Sequence, residues 1–224
     1  MNKLLLATLL SAGLVNAAQA DIRITEWMYN PAATSGEFIE FTNMGNSAVD
    51  FTGWSFDDNS RTPGSQSLSA FGIVQAGESV ILTETTDAFF RGQWNLATTV
   101  KVIGGNTNNL GRSDEINLYD ATNTLIDRLT YNDQGTGTVD TYRTQGVSGN
   151  PGSLAAIGAN NASLWALSAV GDAEGSYQSN TGANFDIGNP GTTSYAAPVP
   201  EADTYALLMA GLGLVGFLAR RRKN

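Results

Sequence analysis

Between residues 21 and 131, apolar and polar positions alternate in short runs. The runs are IRITEWMY (22–29), EFIEFTN (37–43), GWSF (53–56), SVILTE (79–84), VKVIG (100–104), EINLYD (115–120) and TLIDRLTY (124–131). They are rich in Ile, Val, Thr, Phe, Tyr and Trp, and many repeat with period two, as half-buried strands do. Asn30-Pro31, Asn43-Met44-Gly45-Asn46, Thr62-Pro63-Gly64, Ala76-Gly77-Glu78, Gly104-Gly105-Asn106 and Asp120-Ala121-Thr122-Asn123 separate them. Such clusters turn the chain. About seven strands without a long amphipathic helix predict an all-β fold, an antiparallel β-sandwich. Ile24, Ile39, Phe41, Trp54, Ile81 and Leu118 are expected in its single core.

Residues 132–193 read differently. Gly, Asn, Ser, Thr and Ala dominate, and long apolar runs are few. They are expected to form an irregular extension of a core at 21–131, with an insertion at 144–162. Residues 138–144 offer one further strand, and Leu164-Trp165-Ala166-Leu167 offers a segment that docks on the sandwich. Residues 194–198 read as a linker.

The two ends carry a different pattern. Lys3, an apolar stretch over 4–15 and Ala18-Gln19-Ala20 have the layout of a signal peptide over 1–20, cleaved before Asp21. An uncleaved anchor is the alternative. At the other end, Val199-Pro200-Glu201-Ala202 precedes an uncharged run over 205–219 and then Arg220-Arg221-Arg222-Lys223. The run predicts a helix of about 22 Å at ~1.5 Å per residue, short against a bilayer core of ~30 Å. Four cations directly after it are costly inside a fold and natural on a cytoplasmic face, which favours a transmembrane helix over a buried one. Gly211, Gly213 and Gly216 spell G-x-G-x-x-G, but no strand precedes them and no ribose-binding acid can follow.

Charge and composition narrow the chemistry. The chain has 12 basic and 21 acidic residues. Five and two of these lie in the end segments, so residues 21–199 carry a net charge of about −12. Arg23, Arg61, Arg91, Lys101, Arg112, Arg128 and Arg143 are scattered and form no stripe. A nucleic-acid partner is therefore not expected. There is no cysteine and no histidine. That removes disulfides, thiolate chemistry, the commonest zinc ligand and the usual general base. A carboxylate pair remains possible for glycoside chemistry, but a non-enzymatic role is expected.

The C-terminal order of motif, apolar helix and basic cluster resembles the PEP-CTERM sorting signal of Gram-negative bacteria that make exopolysaccharide. The usual core is Pro-Glu-Pro, and Ala202 replaces the second proline here. The resemblance implies export through the Sec machinery, transient anchoring, and removal of the tail by an exosortase-like membrane protease. Val199, Pro200, Glu201, Ala202, Arg220, Arg221 and Arg222 are its matching positions. It further implies a place at the cell surface or in the extracellular matrix, with exopolysaccharide as a partner.

The strand region is similar to the lamin-tail domain, an immunoglobulin-like sandwich. ITEWMYNP (24–31), GEFIEFTN (36–43), AVDFTGWSF (48–56), VQAGESVIL (74–82), DEINLYD (114–120) and LID (125–127) carry the similarity in order and spacing. DIGNPG (186–191) looks like the Pro-Gly close of bacterial members, which would carry the domain to about residue 193. Members often accompany extracellular nucleases or phosphatases, so an accessory role in such a system is an alternative.

Three sets of residues are candidates for chemistry. Glu26, Glu37 and Glu40 are either a catalytic carboxylate pair or acceptors that fix strand ends through backbone N–H groups. Asp57-Asp58-Asn59 offers closely spaced oxygens for Ca²⁺, as a Ca²⁺-dependent adhesin requires, or a plain turn. No other cofactor is expected. Among the tryptophans, Trp94, in the segment FFRGQW (89–94), is expected on a loop and exposed to a ligand.

Overall fold

The computed structural model describes residues 21–32, 36–133, 145–180, 185–196 and 211–212. β1 (Ile22–Met28) and β2 (Phe38–Asn43) pair antiparallel, and β2 pairs antiparallel with β7 (Ser79–Thr83). β8 (Lys101–Ile103) joins β7 in parallel, the one parallel pairing between named strands. On the other side β11 (Gly149–Pro151) pairs with β1, and β12 (Trp165–Leu167) with β11. The six-stranded order is β12-β11-β1-β2-β7-β8.

The facing sheet is built from β4 (Ser55–Asp57), β5 (Gln66–Ser67), β9 (Ser113–Tyr119) and β10 (Leu125–Asn132), in the order β10-β9-β4-β5. Two small ladders complete the described strands: β3 (Val49–Asp50) with β6 (Ile73–Val74), and β13 (Tyr177–Gln178) with β14 (Ile187–Gly188). This is the expected all-β, immunoglobulin-like sandwich. The core between the sheets takes Ile22, Ile24, Trp27, Ile39, Phe41, Val80 and Leu82 from one side and Phe56, Ile116, Leu118 and Leu129 from the other. Trp54 joins it, stacked on Phe51 at 4.8 Å between ring centroids.

The alternation in β1, β2 and β7 predicts a solvated outer face, and the structure corrects this. Every residue of β2 and β7 is buried. Ile81 belongs to a second cluster on that outer face, with Met28, Phe38, Phe90 and Trp94, rather than to the sandwich core. The cover is α1 (Asp87–Trp94) together with chain beyond residue 145. Thr86 caps α1, its hydroxyl accepting from Phe89 N at 3.3 Å, and Asn95 closes it in the left-handed region at φ 49°.

Residues 145–180 and 185–196 are therefore integral to the domain. Residues 164–167 dock as expected, as the edge strand β12, with Trp165 edge-on to Trp27 at 5.3 Å. Near the expected close, Ser194 N donates to Glu174 at 2.8 Å. Residues 138–144 lie outside the described residues. So do 1–20 and all of 205–219 except Gly211 and Leu212. Among the described residues, no helix is long and apolar enough to cross a membrane.

Candidate functional site

The most unusual chemistry of the described chain lies on the outer face of the six-stranded sheet. A bulge between Ile24 and Glu26 turns Thr25 and Glu26 to the same side. Glu26 then stands opposite Glu40 in cross-strand register, and both carboxylates are fully buried. Like charges facing across a ladder repel, and burial penalises each anion further. Burial, then the Glu40 charge, holds Glu26 well above the usual carboxylate range. Burial pushes Glu40 up to about 7, although the Thr25 hydroxyl and the Gly191 amide favour its ionised form.

Their donors come from two directions. Glu40 Oε1 accepts from Thr25 Oγ1 at 2.6 Å, and its Oε2 accepts from Gly191 N at 2.6 Å. Glu26 Oε1 accepts from Ser148 Oγ at 2.5 Å and from Asn189 N at 2.8 Å. Glu26 Oε2 is buried with no hydrogen-bond partner among the described residues. The third acidic candidate stands apart. Glu37 accepts from Leu110 N through both oxygens at 2.9 Å, and burial pushes it up to about 8. All three glutamates thus accept backbone N–H groups, each from a segment remote in sequence.

Asn189 and Gly191, which donate to Glu26 and Glu40, belong to a repeat that the sequence reading missed. Gly-Asn-Pro-Gly occurs at 149–152 and again at 188–191. The two copies meet, Asn150 Nδ2 donating to Asn189 Oδ1 at 2.7 Å in the interior. Asn150 also donates to Ser168 Oγ at 2.9 Å, and the Ser168 and Ser148 hydroxyls lie 2.6 Å apart. Two glycines of the repeat sit where no side chain fits. A Cβ on Gly149 would lie 1.9 Å from the Trp27 ring, and one on Gly188 would lie 2.7 Å from Glu26 Oε1. Four identical residues in so polar a stretch were the available signal. Such a motif has no hydrophobic period to reveal it.

Trp94 requires a correction. It ends α1 rather than lying on a loop, and it is 1% exposed. Phe90 and Trp94 are four residues apart, so they share one helix face and pack on Phe38 and Tyr177. The Trp94 carbonyl accepts from Tyr177 Oη at 2.8 Å, so the ring and backbone are both structural.

Asp57, Asp58 and Asn59 do three separate jobs. Asp57 is buried, and its Oδ2 accepts from Ser60 Oγ and Thr62 N at 2.7 and 2.6 Å. Asp58 Oδ1 accepts from Ser60 N at 2.9 Å, while Asn59 N donates to Asp114 Oδ1 at 3.2 Å. The Asp58–Ser60 bond is that of an Asx turn, and the others tie the loop to itself and to Asp114. Among the described residues, no group of three acidic, His or Cys side chains is arranged to hold a metal ion.

Asp21 leads directly into β1, its carbonyl accepting from Met44 N at 2.7 Å. Ala18 and Ala20 lie outside the described residues. So do the sorting positions Val199, Pro200, Glu201, Ala202, Arg220, Arg221 and Arg222.

The sandwich and the order of its strands agree with one family. The lamin tail domain model matches residues 16–133, more than half of the chain. The chain belongs to the lamin tail domain family. In this lamin-tail protein, β11 to β14 lie beyond the matched residues yet complete the sheet and its outer cover. Residues 198–223 match the PEP-CTERM protein-sorting motif, which marks the protein for processing by an exosortase, a membrane protease. No curated protein and no solved structure matches the chain significantly.

Proposed function

We propose that this lamin-tail protein is an exported, non-enzymatic component of the cell envelope or extracellular matrix. The sandwich is its structural or binding module, and the tail is its delivery device. The carrying observation is the pairing, in one chain, of a lamin tail domain with a PEP-CTERM motif. On this reading the Sec machinery exports the chain. The run at 205–219 holds it in the membrane for a time, and an exosortase-like protease then frees it to associate with exopolysaccharide.

The described chemistry supports a module rather than an enzyme. Catalysis needs a proton-transfer group within reach of a substrate, and Glu26 and Glu40 are buried beneath Ser148, Asn189 and Gly191. Cation dependence is not part of the reading, because the Asp57 oxygens already serve loop donors. The test is localisation in the native host. Full-length protein is expected at the cell surface or in the matrix, and a variant lacking 199–224 is expected to lose that placement. Unchanged placement of the truncated variant would overturn the proposal.

A further inference from the structure

We infer that Glu174 clamps the end of the folded domain at Thr193 and Ser194 and thereby limits how fast the sorting tail is cut away, on the reading above that an exosortase-like protease cuts near Pro200. The Glu174 carboxylate takes three donors from two consecutive residues. Ser194 N donates to Oε2 at 2.8 Å, Thr193 Oγ1 donates to Oε2 at 3.2 Å, and Ser194 Oγ donates to Oε1. Hydrogen bonds to a carboxylate are stronger than those between neutral groups.

Both sides of the clamp stand on tied backbone. Glu174 projects from a tight loop in which Asp172 accepts from Ala169 N at 2.9 Å and from Ser176 N at 3.0 Å. Gly171 N donates to Ser176 O at 2.9 Å and closes that loop. On the other side the chain is held at short intervals. Asn189 N donates to Glu26 at 2.8 Å, Asn189 Nδ2 to Thr192 O at 2.8 Å, and Gly191 N to Glu40 at 2.6 Å. Beyond Ser194, Tyr195 N and Ala196 N turn back to Thr193, both at 3.4 Å. Among the described residues, the clamp is therefore the last hydrogen-bonded tie of the chain to the rest of the domain.

The clamp sets a length. The PEP-CTERM match begins at residue 198, and Pro200 lies six positions beyond Ser194. Six residues span at most about 20 Å even when fully extended. A compact domain of this size has a radius of gyration of roughly 16 Å. With the clamp closed, a protease at Pro200 must work within the domain's own width. Cleavage also needs free backbone, so its rate follows the population in which that backbone is released. Closed, the clamp offers chain only from Tyr195 onward. Open, it releases chain back to Gly191, the next tie, which lengthens the span by about 10 Å. Ser194 is exposed, so the opening is local and leaves the sandwich intact.

Pulse–chase of the full chain in its native host tests this, with precursor and cut product resolved by intact mass. Glu174→Ala is expected to be cut at least about fivefold faster than wild type, since one hydrogen bond to a charged group is worth roughly tenfold in an opening equilibrium. Six Gly and Ser residues inserted between Ala196 and Ala197 lengthen the span and leave the clamp in place. They are expected to give a similar acceleration, and the two changes together no further gain. The insertion alters no residue of the clamp or the sandwich, so it separates reach from unfolding. An unchanged rate in either variant would overturn the clamp and leave the sorting reading intact, because the wild type would still be cut. A wild-type chain that is never cut would overturn that reading and the clamp with it. Hydrogen exchange on the wild type needs no variant. The Ser194 amide is expected to exchange at least about tenfold slower than free chain. Exchange at the free-chain rate would contradict the clamp.

Discussion

Asn150 and Asn189 occupy the same place in two copies of Gly-Asn-Pro-Gly, and one donates to the other at 2.7 Å in the interior. Through them β11 and the segment after β14 are tied together over the glutamate pair. The ring of Trp27 lies against the first copy at Gly149, and the Glu26 carboxylate lies against the second at Gly188. Adjacent residues of one strand thus read both copies.

Gly149→Ala tests that fit. Its Cβ would lie 1.9 Å from Trp27, and Trp27 is wedged between Tyr131 and Trp165 at 5.2 and 5.3 Å. Forcing a methyl group into such a core costs about 1–3 kcal/mol, measurable by denaturant unfolding. A loss under ~0.5 kcal/mol would show that Trp27 yields freely, against dense packing. Gly92→Ala is the converse. Gly92 lies in α1 with open space where its Cβ would stand, so a gain of about 0.5–1 kcal/mol is expected.

The lamin-tail match ends at residue 133, but the outer face of the sheet is also covered by residues beyond 145. A fragment of residues 21–133 is expected to expose Trp94, which Tyr177 covers, and the glutamate pair. It should aggregate or melt well below a fragment of residues 21–196, because large exposed apolar patches self-associate. Equal melting temperatures for the two would show that residues beyond 145 add nothing to the domain.

Trp54→Ala is expected to cost about 3–5 kcal/mol, as truncation of a buried large aromatic does. Trp54 stacks on Phe51, which meets Phe71 edge-on at 5.5 Å. A loss below ~1 kcal/mol in urea unfolding would contradict its packing.

The overall pH response has two limbs. Burial raises Glu37 to about 8, Glu40 to about 7 and Asp127 to about 6, so the stability tied to their protonated forms declines as pH rises from mildly acidic to alkaline. Glu115 runs the other way. Hydrogen bonds from Arg61 hold it down to about 2, and its contribution is lost as pH falls toward that value. The melting temperature is therefore expected to peak in the mildly acidic range. A steady rise up to alkaline pH would contradict burial of the three raised acids.

The longer strands were legible because period two is strong over five to eight residues. β1, β2, β7, β9 and β10 fall within a residue or two of the predicted runs. β11, β13 and β14 are two or three residues long and lie in Gly- and Asn-rich text, so they leave no period. α1 was hidden by its brevity, although the Thr86 cap and the Phe90–Trp94 spacing were its signals. Burial of Glu26 and Glu40 was beyond local reading. Their cover comes from residues more than a hundred positions away, and a Glu in an alternating strand ordinarily faces water.

The central functional claim is that the tail delivers this domain and is then removed. On the proposed reading, residues 1–20 direct the chain outward, which would leave Arg220 to Lys223 on the cytoplasmic side and Pro200-Glu201 on the other. Intact-mass spectrometry of the protein from its native host reads the outcome directly. The account predicts mature material beginning at Asp21 and ending near residue 200. Secreted protein that retains Arg220 to Asn224 would contradict it.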